Sequence, residues 1–324
     1  MVAAVRVHKT GGPEVLTYED VEVGAPGPGQ IRIRQRACGV NFIDTYFRTG
    51  LYAAPSLPFI AGNEGAGEVV AVGEGVTAFK PGDRVAYTGP LGGYAEERLF
   101  PADRTVKLPD GISYEQAAGM MLKGMTAQYL VRRTFRVEKG HTILIHAAAG
   151  GVGTIVSQWA KHLGATVIGT AGSPEKAKLA KANGCDHVIL YDSEDFVARV
   201  KEITGGRGCD VVYDGIGKAT FPQSLDCIRP LGMFVSFGSA SGPIEAFNIG
   251  LLMQKGSLFA TRPTLNTYIA NNDDLQATAK DLFAVVESGA VKIPISHTYP
   301  LKDAQTAHRD LEGRKTTGSI VLIP

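Results

Sequence analysis

A glycine-rich turn constrains this chain more than any other feature. The apolar run 142–146 leads into Ala147-x-x-Gly150-x-x-Gly153, and a stretch with helical spacing follows. This is the spacing of a dinucleotide-binding turn, with alanine at the first small position. Gly150 would let the backbone approach a pyrophosphate, Gly153 would let the helix pack on the strand, and the helix N-terminus would receive the phosphates. A purely structural turn is the alternative. The predicted cofactor contacts here are Ala147, Gly150, Gly151, Val152 and Gly153.

Apolar runs of strand length alternate with helical stretches through the middle of the chain. Six runs lack polar alternation, at 142–146, 166–170, 187–191, 210–213, 233–237 and 257–261. Strands that are apolar on both faces are typical of a parallel sheet covered by helices. Helical spacing lies between them at 152–163, 175–183 and 195–204. The pattern predicts an α/β fold with a doubly wound Rossmann domain over 125–260.

The flanking regions have a different character. Short β-like runs cut by turn signals fill the first third, for example at 31–36 and 67–73, and predict a β-rich domain, a partly open barrel, over 1–124. The tail holds one helical stretch, 274–288, and a final β run, 318–323. This ending predicts that 261–324 returns to complete the first domain.

Composition excludes several classes of protein. A net charge of +1 over 324 residues gives no basic face for nucleic acid. No stretch approaches the ~20 apolar residues that cross a bilayer, and the N-terminus does not resemble a signal peptide. The four cysteines are far apart, so reduced thiols are expected. Together these features predict a cytoplasmic protein without a membrane or nucleic-acid partner.

The end of the second apolar run indicates which dinucleotide binds. NAD-binding folds place an acid there, whereas this chain has Thr170-Ala171-Gly172-Ser173. Ser173 and Lys176 could hold a 2′-phosphate by hydrogen bond and charge. A solvated helix lysine is the alternative for Lys176, and Glu175 fits the favoured place for an acid in a first helical turn. The missing acid predicts NADPH rather than NADH.

Short motifs are spread over the whole chain. They are Asn41-Phe-Ile-Asp44-Thr-Tyr46, Gly50-Leu-Tyr52, Gly62-Asn-Glu64, Pro81-Gly-Asp83-Arg84-Val85, Lys123-Gly-Met-Thr126, Arg262-Pro263 and the run from Gly313 to Gly318. Together they resemble the medium-chain dehydrogenase/reductase superfamily, and within it the zinc-free quinone oxidoreductases related to ζ-crystallin. The resemblance is close to the bacterial NADPH:quinone reductases. It implies a GroES-like catalytic domain beside the Rossmann domain.

The residues at the metal positions depart from the zinc-dependent relatives. Those relatives have a Cys-His pair before the residue that matches Asp44, and a His before the one that matches Glu64. This chain has Asn41, Phe42 and Asn63 there, and amides are poor zinc ligands beside thiolate and imidazole. The relatives' structural zinc needs a tight cysteine quartet, which dispersed cysteines do not provide. We therefore expect no metal, and acceptors that are already electron-poor.

The resemblance also implies roles for single residues. The substrate side would be lined by Asn41, Asp44, Tyr46, Tyr52 and Arg262. Further cofactor contacts would come from Phe42, Thr126, Tyr129, Gly172, Ser173, Lys176, Tyr191 near the adenine, Phe237, Gly238, Ser239, and Arg314 on the 2′-phosphate. Alternatives remain for some of them. Tyr46 and Tyr52 could serve packing, Asp44 could cap the helix that follows, and Glu64 could be a general acid or a structural ion-pair partner. His146 is expected to be packed or hydrogen-bonded to backbone rather than catalytic.

Three functions fit these features. The preferred one is NADPH-dependent reduction of a small quinone by direct hydride transfer without zinc. The second is reduction of the C=C bond of α,β-unsaturated aldehydes or ketones. The third is a non-catalytic nucleotide-binding structural or RNA-binding role, which the neutral charge and intact turn disfavour. A homodimer is also expected, because the run 257–261 would be a bare sheet edge in a monomer and superfamily relatives pair this strand.

Overall fold

The computed structural model describes residues 1–324, and the chain divides into two compact units. The first contains Met1–Lys123, Asn271–Phe283 and Ile293–Pro324, and the second contains Gly124–Ala270 and Ala284–Lys292. The predicted division assigned everything from 261 to the first domain, so it differs for 261–270 and 284–292. Contacts inside the second unit explain part of the difference, because the Tyr268 ring stacks on Tyr129 with centroids 4.4 Å apart.

The chain forms sixteen strands and nine α-helices, which we number in chain order. The strands are β1 (Val2–Val7), β2 (Leu16–Val21), β3 (Gln30–Val40), β4 (Phe59–Ile60), β5 (Glu64–Val72), β6 (Arg84–Thr88), β7 (Glu97–Pro101), β8 (Val106–Lys107), β9 (Thr142–Ile145), β10 (Thr166–Ala171), β11 (His187–Leu190), β12 (Cys209–Asp214), β13 (Ile228–Ser236), β14 (Phe259–Thr261), β15 (Ile295–Pro300) and β16 (Ser319–Ile323). The helices are α1 (Phe42–Thr49), α2 (Tyr114–Tyr129), α3 (Gly151–His162), α4 (Pro174–Ala182), α5 (Phe196–Ile203), α6 (Gly250–Gln254), α7 (Leu265–Tyr268), α8 (Asn272–Glu287) and α9 (Ala304–Glu312).

The first unit is β-rich, with two sheets. One has the order β2-β1-β4, and the other has seven strands in the order β15-β16-β3-β5-β6-β8, with β7 also paired to β3. Strand β3 is long and irregular, since its pairing with β5 shifts register after Arg32 and again after Gln35. The last strand, β16, lies antiparallel to β3, with Ile320 opposite Val40. The C-terminal β run therefore returns to the N-terminal sheet.

The second unit is a doubly wound α/β domain, as predicted. Its six strands follow the order β11-β10-β9-β12-β13-β14, and every neighbouring pair is parallel. The six apolar runs of the sequence correspond to these six strands, and α3, α4 and α5 lie where helical spacing occurs. Leu144 and Val212 are fully buried, and Trp159 of α3 is 1% exposed. Because all strands run the same way, the loops after them lie along one edge of the sheet, where ligands of such folds bind.

Helix α2 was not predicted. Residues 117–121 and 123–129 of this helix are all buried, so its buried positions lie on every face. The sequence therefore lacks the periodic apolar stripe of a surface helix. None of the helices is both long and apolar enough to cross a membrane.

Candidate active site

Helix α1 gathers the predicted substrate-side residues of the first unit. Asn41 is its N-cap, in an extended conformation with φ −138° and ψ 156°. The Asp44 carboxylate, three residues on, accepts a hydrogen bond from the Asn41 backbone N–H at 2.8 Å. The expectation that Asp44 could itself cap the helix needs correction, because Asn41 caps it and Asp44 supplies the returning carboxylate of a capping box.

The Asp44 carboxylate is surrounded by donors. Besides Asn41, it accepts hydrogen bonds from Asn63 Nδ2 at 2.6 Å and from the Tyr94 hydroxyl at 3.0 Å, and the residue is 1% exposed. Burial raises the pKa of Asp44 to about 6, and the three hydrogen bonds oppose that rise. Such a group is ionised at neutral pH and holds the Asn63 amide in one orientation.

A chain of donors runs from Arg48 of α1 through His308 of α9 and Tyr94 to Asp44. The Arg48 guanidinium lies 3.0 Å from His308 Nδ1 and can only donate, so Nδ1 accepts and Nε2 carries the proton. His308 Nε2 lies 3.0 Å from the Tyr94 oxygen, which leaves the Tyr94 O–H to donate to Asp44. Burial lowers the pKa of His308 to about 3, with Arg48 adding to the effect, so this imidazole is neutral at pH 7. We call these four residues the Asp44 chain.

Glu64 is a structural ion-pair partner, one of the two alternatives expected. It is fully buried and accepts hydrogen bonds from Asn41 Nδ2 at 2.7 Å, Leu122 N at 2.6 Å and Lys123 Nζ at 3.2 Å. Both amides at the relatives' metal positions, Asn41 and Asn63, thus donate to carboxylates. No group of three or more His, Cys, Asp and Glu side chains is arranged to hold a metal ion.

Tyr46 lies on the same helix, and Tyr52 lies just beyond its C-terminal end. The rings of Tyr46 and Tyr52 meet edge to face with centroids 5.2 Å apart, and the Tyr52 N–H donates to the Tyr46 carbonyl at 3.0 Å. Both side chains are half-buried. Phe42, the first residue of α1, is 36% exposed. The structure therefore brings Asn41, Phe42, Asp44, Tyr46 and Tyr52 together. Arg314 lies elsewhere in this unit, exposed in the turn after α9.

The glycine-rich turn of the second unit has the geometry that its sequence predicts. Gly150 is the N-cap of α3, and its N–H donates to the Ala147 carbonyl at 2.8 Å. A Cβ at Gly153 would overlap that carbonyl oxygen and lie 2.8 Å from the Ala148 Cα. Only glycine at 153 permits this approach of helix to strand. Ala147 has φ +52°, a left-handed conformation that is unfavourable for alanine.

Most of the other predicted cofactor contacts follow strand ends along the same sheet edge. Ser173 is the N-cap of α4, where its Oγ accepts from the Lys176 N–H at 3.3 Å. A Cβ at Gly172 would lie 2.6 Å from the Tyr191 hydroxyl, so the loops after β10 and β11 meet there. Also on this edge are Phe237, Gly238 and Ser239 after β13, and Arg262 after β14.

Two predicted contacts lie on the buried end of α2. Thr126 is 7% exposed and Tyr129 is 2% exposed. The Tyr129 ring is covered by Tyr268, which stacks on it at 4.4 Å. Their role as cofactor contacts stays a prediction.

Several residues of these networks have no signal in the sequence. His308 is separated from Tyr94 by 214 positions and from Arg48 by 260, so only the fold brings them together. His146 is packed, as expected, but it bonds to the side chains of Thr170 and Ser224 rather than to backbone.

The buried imidazole of His308 predicts a pH dependence of stability. Its pKa is about 3 in the folded chain and about 6.5 in an unfolded one. As pH falls below about 6.5, only the unfolded chain takes up this proton, so the folded state loses about 1.4 kcal/mol per pH unit. His308→Gln should remove this contribution. Asp44 has the opposite effect on the free energy of unfolding. Its pKa is raised in the folded chain, so it adds stability as the pH falls from about 6 to about 4.

Urea unfolding from about pH 7 to about pH 4.5 measures this effect. The free energy of unfolding should fall less steeply with decreasing pH for His308→Gln than for the parent. The matched control is His162→Gln, because His162 is exposed at the end of α3. Parallel curves for the parent and His308→Gln would contradict the neutral buried imidazole.

Comparisons with known proteins agree with this architecture. The alcohol dehydrogenase GroES-like domain model matches residues 27–110, and the zinc-binding dehydrogenase model matches residues 151–283. The chain is 54% identical to a quinone oxidoreductase of Pseudomonas aeruginosa over the full length of both, and 48% identical to a 2-haloacrylate reductase of Burkholderia sp. over 100% of this chain and 99% of that one. The crystal structure of Escherichia coli quinone oxidoreductase complexed with NADPH superposes with a TM-score of 0.97 at 48% identity, covering 99% of this chain and 100% of that chain. The chain belongs to the quinone oxidoreductase family of the medium-chain dehydrogenase/reductase superfamily.

Proposed function

We propose that this chain reduces quinones with NADPH by direct hydride transfer. The observation that carries the proposal is the full-length match to quinone oxidoreductases, at 54% identity for the Pseudomonas aeruginosa enzyme. The solved Escherichia coli relative is complexed with NADPH. The family's oxidoreductase chemistry suits an acceptor that becomes aromatic when it takes up a hydride.

The second unit fits NADPH. The glycine-rich turn has no room for a Cβ at Gly153. Helices α3 and α4 both have their N-termini at the ligand-binding edge of the sheet. Strand β10 ends at Ala171 without the acid that would oppose a 2′-phosphate. When bound, NADPH supplies the hydride. Ser173 and Lys176 would hold the 2′-phosphate, and the N–H groups at the start of α3 would hold the pyrophosphate.

The first unit supplies donors for the substrate oxygen. Asn41, Tyr46 and Tyr52 would stabilise the charge that develops on the quinone oxygen. Asp44 and its chain would keep this end of α1 rigid. The amides of Asn41 and Asn63 stand where a zinc enzyme needs ligands, and both donate to carboxylates. These features support catalysis without zinc. The roles of Arg262 and Arg314 stay predictions.

Reduction of an activated C=C bond is a second candidate. It is favoured by one specific observation, the 48% identity to a 2-haloacrylate reductase over the whole chain. Hydride addition to a conjugated alkene and to a quinone uses the same donor and similar oxygen stabilisation.

A homodimer is the third part of the proposal. Strand β14 is the edge of its sheet, and Phe259 on it is 58% exposed. Ile249 and Met253, on the segment before it, are 76% and 72% exposed. Exposed apolar side chains beside an open edge favour pairing with a second copy. The cytoplasmic location stays a prediction.

An acceptor screen tests the chemistry. With NADPH as donor, benzoquinone and naphthoquinone should react with higher kcat/KM than 2-haloacrylate or an α,β-unsaturated aldehyde. Tyr46→Phe and Tyr52→Phe should each lower kcat/KM by at most ~100-fold, or ~2.7 kcal/mol, because several donors together stabilise the charge on the substrate oxygen. Tyr18→Phe is the control, since Tyr18 is exposed on β2. A clear preference for the alkenes would replace the quinone assignment, and binding without turnover would indicate a non-catalytic protein.

A binding measurement tests the cofactor. NADPH should bind more tightly than NADH in calorimetry. Lys176→Ala should weaken NADPH alone, by about 1.5–3 kcal/mol, because it removes a charge-assisted phosphate contact. Lys178→Ala, exposed on the same helix, is the control and should change neither affinity. Equal affinity of the parent for both dinucleotides would contradict the assignment.

Light scattering tests the assembly. The parent should have twice the chain mass of 34.3 kDa, and Phe259→Asp should shift it toward one chain mass. Leu57→Asp, which changes a side chain 53% exposed in the other unit, is the control and should leave the mass unchanged. A parent that scatters as a single chain at micromolar concentration would refute the dimer.

A further inference from the structure

A buried line of polar groups lies behind the phosphate-binding turn. The Ala147 N–H donates to Thr170 Oγ1 at 3.3 Å, and His146 Nδ1 lies 3.1 Å from the same hydroxyl. His146 Nε2 lies 3.0 Å from Ser224 Oγ, which in turn lies 3.2 Å from Asp214 Oδ2. The four side chains are at most 2% exposed. We call Thr170, His146, Ser224 and Asp214 the Asp214 chain.

The direction of each hydrogen bond follows from Asp214. Its carboxylate oxygens accept from Ile216 N at 2.8 Å, Gly217 N at 3.0 Å and Thr220 Oγ1 at 2.7 Å, so it is the acceptor end of the network. The Ser224 hydroxyl has two acceptors in reach, this carboxylate and the Thr220 carbonyl. Its proton is therefore committed, and its oxygen accepts from His146 Nε2–H.

The hydrogen bonds between His146, Thr170 and the Ala147 N–H then have only one possible set of directions. Burial lowers the pKa of His146, against the opposing charge of Asp214, so the imidazole is neutral and Nδ1 is an acceptor. The Thr170 hydroxyl donates to Nδ1, which leaves its oxygen free to accept the Ala147 N–H. All the donors point from the turn toward Asp214.

The residue at the end of this line is strained. Ala147 has φ +52°, a conformation that L residues with a Cβ adopt at a cost. Its carbonyl accepts the Gly150 N–H at 2.8 Å, and a Cβ at Gly153 would overlap it. The conformation of Ala147 therefore decides where the turn and the start of α3 lie. The next residue is held to the same strand, since the Ala148 N–H donates to the Thr170 carbonyl at 2.9 Å.

We propose that His146, Thr170 and Ser224 are positioning residues for the cofactor. Anchored on Asp214, they hold Ala147 in its left-handed conformation and so keep the turn through Gly153 in the shape that receives a pyrophosphate. The proposal rests on the proposed binding of NADPH. It gives His146, which the sequence marks as a packed residue, an indirect part in the function.

Removing one hydroxyl at a time tests the proposal in the full-length protein. Thr170→Val and Ser224→Ala delete the two hydroxyls on either side of His146 with little change in shape. Each should raise the Kd for NADPH about tenfold, the effect of losing one buried hydrogen bond. The kcat at saturating NADPH should change less than about twofold, because only binding is affected. Thermal unfolding checks that each variant is folded, and Ser224→Ala, which is remote from the turn, carries the test if Thr170→Val does not fold.

Rescue by glycine separates positioning from general stability. Glycine adopts positive φ without support, so Ala147→Gly in the Thr170→Val or Ser224→Ala background should restore the NADPH Kd to within about threefold of the parent. The matched control is Ser257→Gly, because Ser257 also has a positive φ, +56°, and belongs to the same unit. It should relieve similar strain without restoring affinity.

The outcomes distinguish the two proposals. Unchanged NADPH affinity in both single variants, or equal rescue by Ser257→Gly, would overturn the positioning role and leave the proposed function intact. A parent that does not bind NADPH would overturn the proposed function, and this inference with it.

Discussion

The structure depends on how it accommodates carboxylates that are removed from water. A buried carboxylate is stable only when donors surround it, and the chain meets that requirement with lines of side chains drawn from distant segments. Asp44 is held by the N-terminus of α1, by the residue before β5 and by Tyr94. The His308 and Arg48 side chains continue that line to α9. The anion thereby helps to join helix α1 to the segments that carry Asn63 and Tyr94.

The second unit uses the same principle for a different purpose. A parallel sheet places its strand ends at one edge, but the backbone there must still be held in shapes that regular structure does not provide. The left-handed Ala147 is the clearest case. Strain of this kind persists only where the surroundings over-determine it. Here the surroundings are Thr170 on the neighbouring strand β10 and the polar groups that end at Asp214 on β12.

Short-range features of the fold were predictable, and long-range polar contacts were not. The six apolar runs and the glycine spacing follow from local periodicity, so β9 to β14 and the turn at Gly150 could be derived from the sequence alone. Helix α2 was not predicted, because a helix that is buried on several sides has no amphipathic pattern in its sequence. The contact between Tyr94 and His308 was not predicted, because nothing in the residues around either one indicates a partner 214 positions away. The role of Asp44 was open between site and cap, and the structure makes it a buried anion that closes a capping box.

We propose that this protein transfers a hydride from NADPH without help from a metal. The most direct measurement is a single-turnover reaction of the metal-depleted protein with a quinone, using NADPH that carries either hydrogen or deuterium at the transferred position. Metal-free hydride transfer should give slower oxidation of the deuterated cofactor and the same rates with or without a chelator. Equal rates for the two isotopes, or activity that a chelator removes and zinc restores, would contradict it.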